Sequence, residues 1–439
     1  MYVITAEVLA CNLRADPNIS GVSLPGPRTD QCLISQYADD TNISVTDDDS
    51  ILDVFHLFNL YECASGARLN LNKCKGLWLG PWKNREDPPV NIVWSSSKIP
   101  CLGTFIGPGV TDNDIWDKRI SAIESTLNAW SHRLLSFYGK SLILNALVLS
   151  RLWYVAYFHY PPAWVQNRIN TLCFKFFWSG KRDIINRQTV CQFKSSGGFD
   201  VVNIRFKIHA LHCQWIKRFF SPSPGKWKIF FIHFLFSGLT AASFQRVFYY
   251  PLTVSRARLL PFYKSIVKSW AMLGGGFDDT LGCLAISANT SSALSLPDIT
   301  TKVCYHHVLS GNYQQPRCVA KFRPLFGSLY WPAIWEQVHI FPLDKRVASF
   351  RWKMCHDVLY TNFRLAHLRL RQDPSCHCGA ASEDLSHLFF NCILARELIP
   401  WIEYNISYFL KETFFFSLGI FYLFFPLWRE NVFLLFILI

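Results

Sequence analysis

Apolar and polar positions follow two rhythms over the first eighty residues. In "QCLISQYADDTNISV" two apolar, β-prone runs flank the adjacent Asp39 and Asp40, which predicts a β-hairpin turning at the aspartates. A strand-like "NLRADPNISGVSL" precedes it. The next stretch, "DDSILDVFHLFNLYECASG", has helical spacing and a stop at Gly66. "ARLNLNKCKGLWLG" then reads as strand, because Leu69, Leu71, Leu77 and Leu79 fit period-two faces around a short break. The first part of the chain is therefore expected to be α/β.

After "PWKNREDPPV" the pattern changes. "IPCLGTFIGPG" predicts a short hairpin. In "WDKRISAIESTLNAWSHRLL", Trp116, Ile120, Ile123, Leu127, Trp130 and Leu134 fall three and four apart, which makes one apolar helix face and leaves Lys118, Arg119, Glu124 and Arg133 to solvent. "KSLILNALVLSRLWYVAYF" is apolar on nearly all sides, so a buried helix is expected, ended by Pro161-Pro162. From 161 to 345 short helical stretches alternate with "SGKRD", "KSSGGFD" and "SPSPGKW". Residues 346–375 read as helix, turn, helix with a basic outer face, and a compact Cys/His cluster follows.

Composition excludes a disordered chain, since half the residues are apolar and 16% aromatic. The formal charge of +13 is unevenly spread. Residues 1–50 hold eight acids against Arg14 and Arg28, whereas residues 161–230 hold twelve bases against Asp183 and Asp200. Such a polarity suits a protein that holds metal cations and lies along a polyanion; a solvated basic surface is the plainer alternative. Fifteen cysteines is an odd number, and twelve of them are spread without regular spacing, which points to reduced, intracellular thiols rather than a secreted disulfide framework. The first residues lack the basic lead and long apolar run of a signal peptide. The tail "TFFFSLGIFYLFFPLWRENVFLLFILI" raises a membrane reading, although Pro426 and Arg429-Glu430 leave runs at or below the short limit for a spanning helix.

Three groups carry candidate chemistry. Adjacent carboxylates on a strand point to opposite faces and share one metal only where the backbone turns, which the Asp39–Asp40 hairpin supplies. Mg²⁺ takes such oxygens; an ordinary Asx-type turn is the alternative. "CHCGAASEDLSHLFFNC" offers Cys376, Cys378, His387 and Cys392, a set able to close a tetrahedral structural zinc site, with His377 as a competing ligand and free thiols as the alternative. "NRINTLCFKFFWSGKRDIINRQ" and "RFKIHALHCQWIKRFF" interleave bases with aromatics, so Lys175, Lys181, Arg182, Arg187, Lys207, Lys217 and Arg218 are candidate nucleic-acid contacts. Phe174, Phe177 and Trp178 are read as helix core.

The order of these segments resembles the C-terminal part of reverse transcriptases of LINE-type (non-LTR) retrotransposons. "QYADDTNISV" is similar to that family's aspartate-pair hairpin, "ASGARLNLNKCKGLWLG" to its next palm segment, "IPCLGTFIG" to its primer-grip hairpin, and residues 116–154 to its thumb helices. The resemblance covers residues 1 to about 405 and ends in the Cys/His cluster. It implies an α/β partial polymerase palm over 1–90, primer-grip hairpin and thumb-like helices over 91–160, a basic mainly helical connecting region over 161–345, a zinc-binding module over 346–405 and an apolar tail over 406–439. It also implies Mg²⁺ ligands at Asp39 and Asp40, Tyr37 beside the primer end, Lys73 near the departing pyrophosphate, and Leu102 and Gly103 in the primer grip. The partners would be an RNA template, a DNA primer and dNTP. The family's palm starts with a strand bearing another metal-binding aspartate, which has no counterpart here; the expectation is a fragment that does not polymerise alone. A non-catalytic, zinc-containing nucleic-acid-binding protein is the second reading, and a membrane anchor through the tail the third.

Overall fold

The computed structural model describes residues 2–26, 30–223, 225–236, 248–249, 259–286, 293–326, 329–340, 345–411 and 413. The apolar tail from 414 onward, on which the membrane reading rests, lies outside them. The chain divides into two compact units, one of Met1–Ala122, Leu152–Gln166 and Arg205–Val308, the other of Ile123–Arg151, Asn167–Ile204 and Leu309–Ile439.

In the first unit, the strands Ile34–Tyr37 and Asp40–Ile43 pair antiparallel, with Tyr37 opposite Asp40. Leu9 and Leu13 from helix Tyr2–Ala15, Val54 from helix Asp48–Ser65, and Ile19 and Leu33 form a buried core. Ile34 and Ile43 of the hairpin pack against that core. The ladder is thereby anchored by its apolar positions and its acidic tip faces water. Helix Asp48–Ser65 starts where Asp47 accepts the Ser50 N–H at 2.7 Å. It ends where Gly66, at φ 71°, donates to the Glu62 carbonyl.

The expected strand over "ARLNLNKCKGLWLG" contracts. Residues 71–73 form a turn and only Lys75–Leu77 is strand, paired parallel with Val93–Ser95. The reason is local: the Asn70 carbonyl and side chain both take the Lys73 N–H, which diverts the backbone from a ladder. Gly76 is required, because a Cβ there would lie 2.1 Å from the Trp94 ring. Trp94 stacks on Trp78 at 3.9 Å. Arg85 sits 5.0 Å from the Trp78 and Trp82 rings and holds Asp48 in a two-pronged contact at 2.6 Å, so the loop is tied to the helix start.

The fold is mainly helical, and its strands form separate ladders of two or three rather than one palm-like sheet among the described residues. The connecting region expected to be mainly helical also holds a three-stranded antiparallel sheet, Gly275–Asp278, Cys283–Ile286 and Leu294–Ser295. Helix Asp112–Ser131 buries Trp116, Ile120, Ile123 and Leu127 but stops before Leu134, which is exposed. The stretch Phe137–Phe158 is buried on one side only, with Leu142, Leu147, Tyr154 and Phe158 exposed.

An aromatic cluster forms the centre of the second unit. Phe137 lies 4.8 Å from Phe177 and 5.6 Å from Phe199, and Phe199 lies 4.6 Å from Trp352. A wide π turn at Leu144–Leu149 interrupts the helix that begins at Phe137. There the Asn145 side chain donates to the Asp200 carbonyl at 2.8 Å and accepts the Val202 N–H at 3.0 Å.

Each unit buries a pair of neutral histidines. His209 and His212 contact Ser269 and Ser265 at 2.9 and 2.7 Å; His339 contacts the Tyr138 hydroxyl at 2.7 Å, and His356 donates to the Gly197 carbonyl at 2.9 Å. Burial pushes their imidazoles down to about 3, 4, 3 and 4 respectively. The unfolded chain, titrating near pH 6.5, then binds more protons than the folded chain as pH falls, so stability is present above that value and lost below it. The expected loss at pH 5 is on the order of 2 kcal/mol per histidine. Urea midpoints at pH 7.5 and 5 test this; equal midpoints would contradict it.

Candidate metal centre and nucleic-acid surfaces

The Cys/His cluster begins with a tight backbone loop. Gly379, at φ 91°, donates to the Cys376 carbonyl, and the Cys376 N–H bonds to the Ala380 carbonyl, both at 3.0 Å. This loop turns Cys376 and Cys378 toward one point. The opposite pair is carried by the wide turn His387–Asn391; Asp384 accepts the His387 N–H at 2.7 Å, and Cys392 donates back to the His387 carbonyl at 2.8 Å.

The four donor atoms lie within 4.8 Å of one another. Cys376 Sγ and Cys392 Sγ are 3.9 Å apart, and Cys378 Sγ is 3.2 Å from His387 Nε2. Four ligands about 2.0–2.3 Å from a shared tetrahedral zinc ion would stand roughly 3.5 Å apart, so the set fits zinc. The Cys378 thiol is drawn down to about 7 by the Ala380 backbone N–H, with His387 and the neighbouring thiols adding to the effect. That favours the thiolate at Cys378. At Cys376 the Cys378 backbone N–H lowers the thiol, but burial and the Cys378 and Cys392 side chains outweigh it and push Cys376 up to about 11, so a zinc ion would have to displace its proton. His377 is exposed and stays outside the cluster.

Sequence reasoning missed the residues that frame this loop. Asn362 donates to the Ser375 carbonyl at 2.8 Å and to Glu383 at 3.1 Å, and it accepts from Arg371 at 2.7 Å. Glu383 also accepts the Asn362 N–H at 3.1 Å. Asn362 is buried, and a single polar letter at the start of the short helix Asn362–His367 carries no signal for that role. Arg364 is likewise committed to the Asp357 carbonyl at 2.6 Å.

In the first unit the structure places Asp39 and Asp40 on the exposed hairpin tip, beside the exposed Tyr37. Ala38 has φ 52°, the positive φ at the first turn residue that two-residue hairpin loops use. The hairpin carrying Leu102 and Gly103 lies against this one: the Cys101 thiol bonds Asn42 at 3.5 Å, and burial with the Asp40 charge raises it. Leu102 and Gly103 both have positive φ, 45° and 76°, and their carbonyls accept from Tyr154 at 2.9 Å and Arg119 at 2.6 Å. Lys73 is exposed in its Asn70 turn. Among the described residues, no third His, Cys, Asp or Glu joins Asp39 and Asp40 in a metal-sized group.

The candidate basic residues are divided between the two units. Lys175, Lys181, Arg182 and Arg187 belong to the second unit, and Lys207, Lys217 and Arg218 to the first. Lys175, Lys181 and Arg182 are exposed. Arg187 pairs with Asp183 at 2.6 Å. Lys207 is half-buried near Tyr305, and Lys217 caps the Pro297 and Ile299 carbonyls. Arg218 packs on Trp215 at 5.1 Å. Phe174, Phe177 and Trp178 are buried and so are closed to base stacking.

Residues 320–399 match the family described as zinc-binding in reverse transcriptase, and all four donors lie in that stretch. The chain is also similar to the Transposon TX1 uncharacterized 149 kDa protein of Xenopus laevis, 29% identical over 233 residues, which are 51% of this chain and 17% of that protein. The chain thus spans less than a fifth of the length of the curated relative it matches. Both likenesses support the relation to the C-terminal region of a non-LTR retrotransposon reverse transcriptase with its zinc-binding module.

If the Asn362 frame presents the ligands, Asn362→Ala keeps every donor yet should release zinc to a chelator 10- to 100-fold more readily, about the cost of losing an outer-shell partner. Competition with a colorimetric chelator measures this. Unchanged retention would remove the role given to Asn362.

Proposed function

We propose that this chain is part of a retrotransposon RNA-directed DNA polymerase, acting inside the cell on RNA template and DNA primer. The convergence of Cys376, Cys378, His387 and Cys392 inside the segment that matches the reverse-transcriptase zinc-binding family carries this reading. Zinc would be structural there, since four protein donors leave no open position for a substrate.

In the complete polymerase site, Asp39 and Asp40 would bind Mg²⁺ with one further carboxylate. The primer 3′-hydroxyl would then attack the nucleotide α-phosphate. Tyr37 would lie at the primer end, Leu102 and Gly103 against the primer strand, and Lys73 toward the pyrophosphate. The proximity of the two hairpins through Cys101 and Asn42 supports this grouping.

Without a third donor beside Asp39 and Asp40 among the described residues, the chain alone is expected to bind nucleic acid and not to extend a primer. That same observation favours a second reading, a zinc-containing binding protein with no chemistry of its own. Primer extension on an RNA template with Mg²⁺ and all four dNTPs tests both. No product is expected from this chain. Magnesium-dependent extension that is lost in Asp39→Asn would overturn the inactivity and leave the polymerase assignment standing.

A further inference from the structure

Four lysines from three separate stretches of the second unit gather around two consecutive aromatic residues, and a fifth, Lys181, lies near one of the four. Lys353 Nζ lies 4.9 Å and Lys140 Nζ 5.6 Å from the Phe137 ring; Lys345 Nζ lies 5.1 Å and Lys194 Nζ 5.8 Å from the Tyr138 ring. Lys181 is close enough to repel Lys353 electrostatically. Counter-charge is sparse. Asp200 stands 3.8 Å from Lys194, and among the described residues no carboxylate lies within 4.0 Å of the other four.

We infer that this cluster is a cradle for consecutive phosphodiesters of a nucleic-acid strand. The inference rests on the nucleic-acid reading above and gives it a specific surface. Ring contacts account for where single ammonium groups sit, but they do not neutralise the sum of like charges. A polyanion does, and releases its own counterions in doing so. Lysines are mobile point charges without the planar fork that grips one phosphate in two places, so a spread of them suits a running backbone better than a single bound anion.

The base of the cradle is fixed. Lys140 is buried and donates to the Phe177 carbonyl at 3.0 Å and to the Ser179 hydroxyl, with no acid in either contact. Burial and then the Lys353 charge pull its amine down to about 8. The rim is open to ligand: Lys181 and Lys345 are exposed, and Lys194 and Lys353 half-buried.

The test compares Lys181→Gln/Lys345→Gln/Lys353→Gln with a charge-matched control, Lys83→Gln/Lys118→Gln/Lys264→Gln, which removes three exposed lysines elsewhere. Binding of a fluorescein-labelled RNA–DNA hybrid is followed by anisotropy between about 50 and 200 mM KCl. Loss of three phosphate contacts should reduce the slope of log K against log salt by about 2.7, whereas the control should change it by less than about 1. If the parent chain binds and the two triple variants behave alike, the cradle is refuted and nucleic-acid binding stands. No salt-dependent binding by the parent would refute both. A second readout needs no variant: the hybrid should shield Lys181, Lys345 and Lys353 of the parent chain from amine acetylation more strongly than Lys83, Lys118 and Lys264, because only the former would be covered by phosphates. Equal labelling would overturn the cradle.

Discussion

Three thiols and one imidazole meet within 4.8 Å in a loop that buries little else, and the C-terminal part of the second unit depends on that meeting. Between Cys376 and Cys392 only Leu385 and Cys392 are buried, too little apolar area to order the loop against its chain entropy. A metal ion bound by all four donors would supply the missing stabilisation and would couple folding to thiol state. The loop is presented by Asn362, which holds its start at Ser375 and its middle at Glu383 to the short helix Asn362–His367, and it hands the chain to helix Ile393–Leu410, seated by Ile402 and Ile406.

In the first unit the same logic of core and tip positions the carboxylates. Ile34 and Ile43 secure the aspartate hairpin to the two helices, so its charged end can stand in water without cost to the core. The neighbouring hairpin is held more tightly at its turn, where a leucine adopts a backbone conformation that few side chains favour and two donors pin the adjacent carbonyls. Rigidity at that tip fits an element that would press on a strand.

Much of this was legible beforehand, for reasons that differ by element. The aspartate hairpin and helix Asp48–Ser65 carry strong local signals, an alternating pattern and paired caps, and their tertiary contacts agree with them. The convergence of Cys376, Cys378, His387 and Cys392 follows residue types and spacings visible in the sequence. The strand through Leu69 and Leu71 was not, because one asparagine captured the backbone at Lys73. The three-stranded sheet around Gly275 escaped notice because its strands are only two to four residues long and the first opens on two glycines. The lysine cluster was invisible as such: its members lie far apart in the chain and share only the two rings they surround.

X-ray absorption at the zinc edge of the purified, reduced chain reads the ligand set of the Cys/His cluster. One zinc per chain is expected, with three sulfur neighbours at about 2.3 Å and one nitrogen at about 2.0 Å. A shell of oxygen and nitrogen alone, or a folded chain that holds no zinc, would contradict this expectation.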